Sequence, residues 1–181
     1  MRKVGVAALY TALVLVANAG VADIADLRDG DMRKLGFHDE PLPAAQTAFE
    51  SADGGEMRLS DFAGKHVVLN FWATWCAPCR KEMPTLAALQ TALGGEEFEV
   101  VTVATGRNDP AGMASFMAEI GVDNLPLHRD PQQRLAREMG VLGLPVTVIL
   151  NPEGMEIARL QGEADWNSES AKAIVSALLA E

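Results

Sequence analysis

The chain has only two cysteines, Cys76 and Cys79, and they stand just past an apolar run, Val67-Val68-Leu69-Asn70-Phe71-Trp72. A run of that length, rich in β-branched and aromatic residues, is the pattern of a strand buried on both faces. The strand leads directly into a Cys-x-x-Cys that opens a helix. In that placement the first cysteine meets the unpaired N–H groups and the positive end of the helix dipole. Negative charge on its sulfur is stabilised there, so the thiolate is populated at lower pH. Cys79 lies one turn further on, near enough to attack a mixed disulfide formed on Cys76. Pro78 cannot donate a backbone hydrogen bond, but an early helical position needs none. Arg80 and Lys81 add cations nearby.

Other uses of a cysteine pair fit this chain less well. A zinc site needs a second half, and His38, His66 and His128 are scattered without paired spacing. An inert bridge across so short a loop would constrain little of the unfolded chain. Soft thiolates can hold Cu(I), but no Met-rich or His-rich segment accompanies them. The expectation is thiol–disulfide exchange, with no metal and no cofactor beyond the cysteine couple itself. A formal charge of −10 argues against nucleic acid, whose phosphates call for a basic surface. With 49% hydrophobic and 22% charged residues, the 181-residue chain can bury a core and is not a disordered segment.

Further strands are expected at Phe98–Ala104 and Val146–Leu150, with a short one near Leu127–Arg129. Asp109-Pro110 offers an N-cap and a proline at the first helical position. Met113, Phe116, Met117 and Ile120 then share one face, and Gly121 ends that helix. Asp130-Pro131 repeats the start signal for a shorter helix through Met139, closed by Gly140. A last helix places Ala171, Ile174, Val175, Leu178 and Leu179 in one stripe, with Ser168 as its cap. Asp53-Gly54-Gly55 and Asn151-Pro152-Glu153-Gly154 read as hairpin turns. The order is a hairpin, β-α-β-α, a hairpin and a final helix. It predicts an α/β fold, a central mixed sheet flanked by helices.

The first residues read as an address. Arg2 and Lys3 precede an apolar run from Val4 to Ala17, followed by small residues. That is the form of a secretory signal, with Gly20 and Ala22 suited to a cut before Asp23. Val4 to Ala22 also approaches the ~20 residues of a bilayer span, so an uncleaved anchor competes. Either way the acidic body is exported. Residues 1–22 are thus a signal peptide or anchor, 23–44 a linker or loosely attached arm, and 45–181 the folded domain.

The run from Leu69 through Trp75-Cys76-Ala77-Pro78-Cys79 to Arg80-Lys81-Glu82-Met83-Pro84 resembles the thioredoxin superfamily, in its exported TlpA/ResA-like branch. Gly143-Leu144-Pro145-Val146-Thr147, followed by Asn151-Pro152-Glu153-Gly154, is similar to that family's cis-proline loop and the hairpin after it. The resemblance implies a thioredoxin fold with an N-terminal β-hairpin and an α/β insertion before the cis-proline. It makes Cys76 the attacking thiolate, Cys79 the resolving thiol and Pro145 cis. Substrate would bind against Trp75, Ala77, Pro78, Leu144 and Pro145, the Leu144 backbone pairing an incoming strand. Plain thioredoxin carries a buried aspartate where this chain has Asn70, and an amide cannot exchange protons in its place. Glu82 matches the acid of the ResA-like pattern. At about 100° per residue it lies roughly 60° from Cys79 around the helix and roughly 120° from Cys76, so it suits the resolving thiol better. Trp72 is expected in the core and Trp75 at the rim.

The resemblance further implies a monomer in the periplasm of a Gram-negative bacterium. It would draw electrons from a membrane donor and reduce protein partners with cysteine pairs, in cytochrome oxidase copper-site assembly or cytochrome c maturation. A Cu(I)-binding chaperone using the same thiols and a general disulfide oxidase are the alternatives.

Overall fold

A computed structural model describes residues 24–180 of the chain. The signal or anchor expected at residues 1–22 lies outside them. Eight strands form one mixed sheet: β1 (Gly36–Pro43), β2 (Phe49–Glu50), β3 (Glu56–Met57), β4 (His66–Trp72), β5 (Phe98–Thr105), β6 (His128–Asp130), β7 (Val146–Leu150) and β8 (Met155–Gln161). Their order across the sheet is β1-β8-β7-β4-β5-β6-β2-β3. At the centre β4 runs parallel to β5 and antiparallel to β7. The helices are α1 (Ala77–Leu93), α2 (Pro110–Glu119), α3 (Arg134–Glu138) and α4 (Glu169–Leu178).

The alternation of β4 divides the core into two layers. Val68 and Trp72 join the cluster that contains Met83 and Leu86 of α1, Phe116 of α2 and Ile174 of α4. Val67, Leu69 and Phe71 face the other way, toward Leu135 of α3, Phe49 and Phe62. Asn70 falls on the Val68 and Trp72 side, and this parity turns it toward α1. Because both layers are apolar, the strand reads as a continuous hydrophobic run rather than an alternating one.

The expected caps form where their chemistry is local. Asp109 accepts from the amides of Ala111 and Gly112 and starts α2. Ser168 accepts from Ala171 N and starts α4. The start signal at Asp130-Pro131 works differently from expectation. Asp130 ends β6, and α3 begins only at Arg134 after Gln133 in a left-handed conformation (φ 55°). The Asp130 carboxylate still caps this helix from a distance, accepting from Arg134 N and Ala136 N, both at 2.9 Å.

Residues 24–44 are not the expected linker. Met32 and Leu35 are fully buried in the layer that holds α1 and α4. A 3-10 turn at Gly30–Lys34 leads into β1, which pairs antiparallel with β8. Arg28 donates to the carbonyls of Ala25 and Leu35, and Asp29 N donates to Ser170 Oγ on α4. The folded body therefore includes this segment. Much of its ordering comes from distant partners on α1, α4 and β8, and Pro41 and Pro43 are tolerated because β1 is an edge strand.

Candidate active site

The turn between β4 and α1 holds the cysteines. Cys76 is the N-cap of α1, its Sγ accepting from Cys79 N at 3.3 Å, and Pro78 sits in the first turn, where a missing N–H costs nothing. The two sulfurs are joined in a disulfide, with the Cα atoms 5.3 Å apart. Cys76 is 6% exposed and Cys79 fully buried. Cys76 is thus the more exposed of the two sulfurs. The cations expected to help the sulfurs are engaged elsewhere. Arg80 lies 4.2 Å over the Phe116 ring and 3.6 Å from Glu119, and Lys81 pairs with Glu163 at 2.7 Å.

The turn is held by Asn108, just past the end of the neighbouring strand β5, a residue with no sequence signal. Its Oδ1 accepts from both Thr74 N (2.8 Å) and Thr74 Oγ1 (3.0 Å), and its Nδ2 donates to the Thr105 carbonyl. No local pattern marks this residue, because its partner lies 34 positions away.

The Leu144–Pro145 peptide is cis. The loop carrying it lies beside a pocket of about 390 Å³ walled by Trp75, Arg137, Leu142 and Leu144. On its other flank is a pocket of about 240 Å³ against Gln161 and Gly162. Trp75 is 65% exposed and Leu142 wholly exposed, with Ala77 and Pro78 also at the surface. These residues make an apolar rim around Cys76, to which Leu142 is an addition. An apolar residue between Gly140 and Gly143 was its one sequence signal. Trp72 is fully buried against Phe116, as expected of a core residue.

Glu82 stands three residues past Cys79 on α1 and is 2% exposed. Its Oε1 accepts from Asn70 Nδ2 at 2.7 Å and its Oε2 from Ala164 N at 3.2 Å. The same Asn70 amide donates to Thr147 Oγ1 at 2.9 Å, which fixes its orientation. Burial pushes the Glu82 carboxyl up to about 7, against the opposing pull of the Asn70 and Ala164 donors and of the nearby Trp166 indole. A carboxyl with that value can take or give a proton near neutral pH. Asn70 thus orients the acid rather than replacing it. Among the described residues, no group of three or more His, Cys, Asp or Glu is arranged to hold a metal ion.

Comparison with known proteins agrees with this geometry. Residues 40–157 match the AhpC/TSA family. The chain is 36% identical over 123 residues to the thiol-disulfide oxidoreductase ResA of Bacillus subtilis, a match spanning 68% of each protein. Its fold superimposes on a putative thiol:disulfide interchange protein DsbE from Chlorobium tepidum with a TM-score of 0.66 and 27% identity, covering 77% of this chain and 97% of that one. An exposed lipoprotein thioredoxin, Etrx1 of Streptococcus pneumoniae, gives a TM-score of 0.60 at 28% identity, over 76% of this chain and all of that one. With a helix-capping cysteine pair on a thioredoxin-type sheet and these relatives, the chain belongs to the AhpC/TSA family and, within it, to the ResA-like thiol-disulfide oxidoreductases.

Proposed function

We propose that this oxidoreductase works outside the cytoplasm as a reductant of particular protein partners that carry cysteine pairs. In its reduced form the Cys76 thiolate attacks a substrate disulfide, forming a mixed disulfide and releasing one substrate thiolate. Cys79 passes its proton to Glu82 and attacks Cys76 Sγ. The Cys76–Cys79 bond forms, and the second substrate sulfur leaves as a thiolate. The substrate gains two electrons and the protein loses them; a membrane dithiol donor restores the reduced pair. The observation that carries this reading is the asymmetric pair itself: an accessible Cys76 at the helix N-terminus over a buried Cys79 with a carboxyl behind it.

Export is supported by the basic and apolar first residues and by the likeness to an exposed lipoprotein thioredoxin. The family resemblance points to partners in cytochrome oxidase copper-site assembly or cytochrome c maturation, and to a monomer as the working form. The test is trapping. With Cys79→Ser, Cys76 has no resolving partner and stays bound to its substrates, which mass spectrometry identifies. Capture of exported proteins bearing cysteine pairs supports the reading. A variant that captures none, from a parent protein inactive toward model disulfides, would sink it.

A further inference from the structure

Glu82 has a second side. Behind the carboxyl, away from the apolar rim, lies a pocket of about 250 Å³. Its walls include Glu82 itself, Asp31, Lys81, Thr85, Glu163 and Asp165, and none of the rim residues Trp75, Leu142, Leu144 or Pro145. A water takes about 30 Å³ of liquid, so the pocket has room for several. Three elements build it: the N-terminal turn supplies Asp31, α1 supplies Lys81 and Thr85, and the loop after β8 supplies Glu163 and Asp165. They are tied together by Lys81–Glu163 at 2.7 Å, Lys34 Nζ to the Glu163 carbonyl at 2.6 Å and Asp165 N to Asp31 Oδ2 at 3.2 Å, with Lys34–Asp31 at 2.9 Å bracing the N-terminal turn itself.

The need for such a pocket follows from the cycle. Cys79 is fully buried, and Oε1 of Glu82 is occupied by Asn70. The proton that Glu82 takes from Cys79 must reach solvent before the next turnover. Oε2 accepts from Ala164 N, which stands in the pocket wall, and the Trp166 indole also lies near the carboxyl.

The geometry points to this pocket as the proton port of the active site: water in it carries the proton between Glu82 Oε2 and solvent, past the Lys81–Glu163 pair at its mouth. The inference rests on Glu82 being the proton acceptor for Cys79. The proton leaves Cys79 Sγ for the carboxylate, then passes to water and finally to buffer; on re-reduction it returns by the same path. The charged groups around Glu82 are Lys81 on its own helix, Asp31 and Lys34 from the N-terminal turn, and Glu163 and Asp165 from the loop. β4 and β7 present only the uncharged Asn70 and Thr147. Lys81, Asp31 and Glu163 act as positioning residues, setting the field and the access of water.

The test uses the reduced full-length chain and the aromatic disulfide DTNB, whose two thionitrobenzoate releases report attack by Cys76 and then resolution by Cys79. In Glu82→Ala the second release should slow at least about a hundredfold, the low end for a lost proton acceptor. Formate or acetate, small enough to enter the port, should restore it with rising concentration, whereas pivalate should not. Ala164→Leu in the same background should abolish that rescue. Should Ala164→Leu not fold, Glu163→Gln serves: losing one anion should lower the pH midpoint of the second release by ~0.5 unit in the wild-type background, with no shift in a Glu82→Gln background. Rescue that pivalate matches, or that survives Ala164→Leu, or a midpoint indifferent to Glu163, would overturn the port while leaving Glu82 as acceptor. A second release unaffected by Glu82→Ala would remove the acceptor role, and the port with it.

Discussion

Asn70 on β4 donates to Glu82 on α1 across 2.7 Å of buried interior. A plain thioredoxin would have its acid on the strand; here the strand carries the donor and the helix carries the acid. The exchange keeps one titratable carboxyl under the cysteines and adds a neutral group that orients it. It also puts the carboxyl on the element that bears Cys79, where every movement of the helix start moves thiol and acceptor together.

Replacing that acid is the most direct check. Glu82→Gln keeps the shape and loses the proton exchange. The resolving step should slow by about a hundredfold, the low end for a lost acid–base group. Its pH dependence near 7 should vanish, while attack by Cys76 changes much less. Rapid-mixing fluorescence or chromophore release separates the two phases.

The same carboxyl predicts a pH dependence of stability. In the folded protein Glu82 keeps its proton to about pH 7, against 4.5 for an ordinary glutamate. The folded state thus holds the extra proton in this window, so stability falls as pH rises from about 4.5 to 7 and stays reduced above it. Summed over that interval the loss is about 3 kcal/mol. Buried His128, held below its usual range by desolvation, acts in the opposite direction. The quantity to measure is therefore wild type minus Glu82→Gln, from urea unfolding of the oxidised protein at several pH values. A difference that does not change with pH would contradict the raised value.

Asn108 should matter without touching the sulfurs. Asn108→Ala removes the acceptor for both the backbone and the hydroxyl of Thr74, leaving donors half-buried without partners. The expected cost is about 1–3 kcal/mol of stability, with faster exchange of the Thr74 amide hydrogen. Amide exchange unchanged at Thr74 would show that the turn is held by other means.

Leu142 and Trp75 should set partner affinity. Leu142→Asp replaces a wholly exposed apolar side chain, in the same pocket wall as Trp75, with a charge. KM for a protein substrate should rise about tenfold or more, the scale of one lost apolar anchor, with kcat reduced far less. An equal fall in kcat and kcat/KM would instead place Leu142 in the chemical step.

The segment before β1 should prove to be core. Met32→Ala removes a fully buried side chain and should cost about 2–5 kcal/mol. A true linker residue would shift stability by less than about 0.5 kcal/mol. Denaturant titration decides between them.

The central strands, the caps at Asp109 and Ser168 and the cysteine-capped helix were all legible from the chain, because each depends on neighbours within a few positions. Periodicity of two or of 3.6, a cap three residues before its amide and a glycine at a turn are local facts. The burial of Glu82 and its bond to Asn70 were not legible in this way. What only the tertiary structure decided involves long separations. Asn108 meets Thr74 across 34 positions, and Ala164 N meets Glu82 across 82. Met32 and Leu35 are buried by α1 and α4, and β1 pairs with β8. Asp130 caps a helix that its own neighbour Pro131 does not begin, because Gln133 turns the chain first. The cysteine couple, the helix it opens and the central strands follow from local patterns in the chain. The enclosure of Glu82, which raises its proton affinity toward neutrality, exists only once strands, helix and N-terminal turn close around it and exclude water.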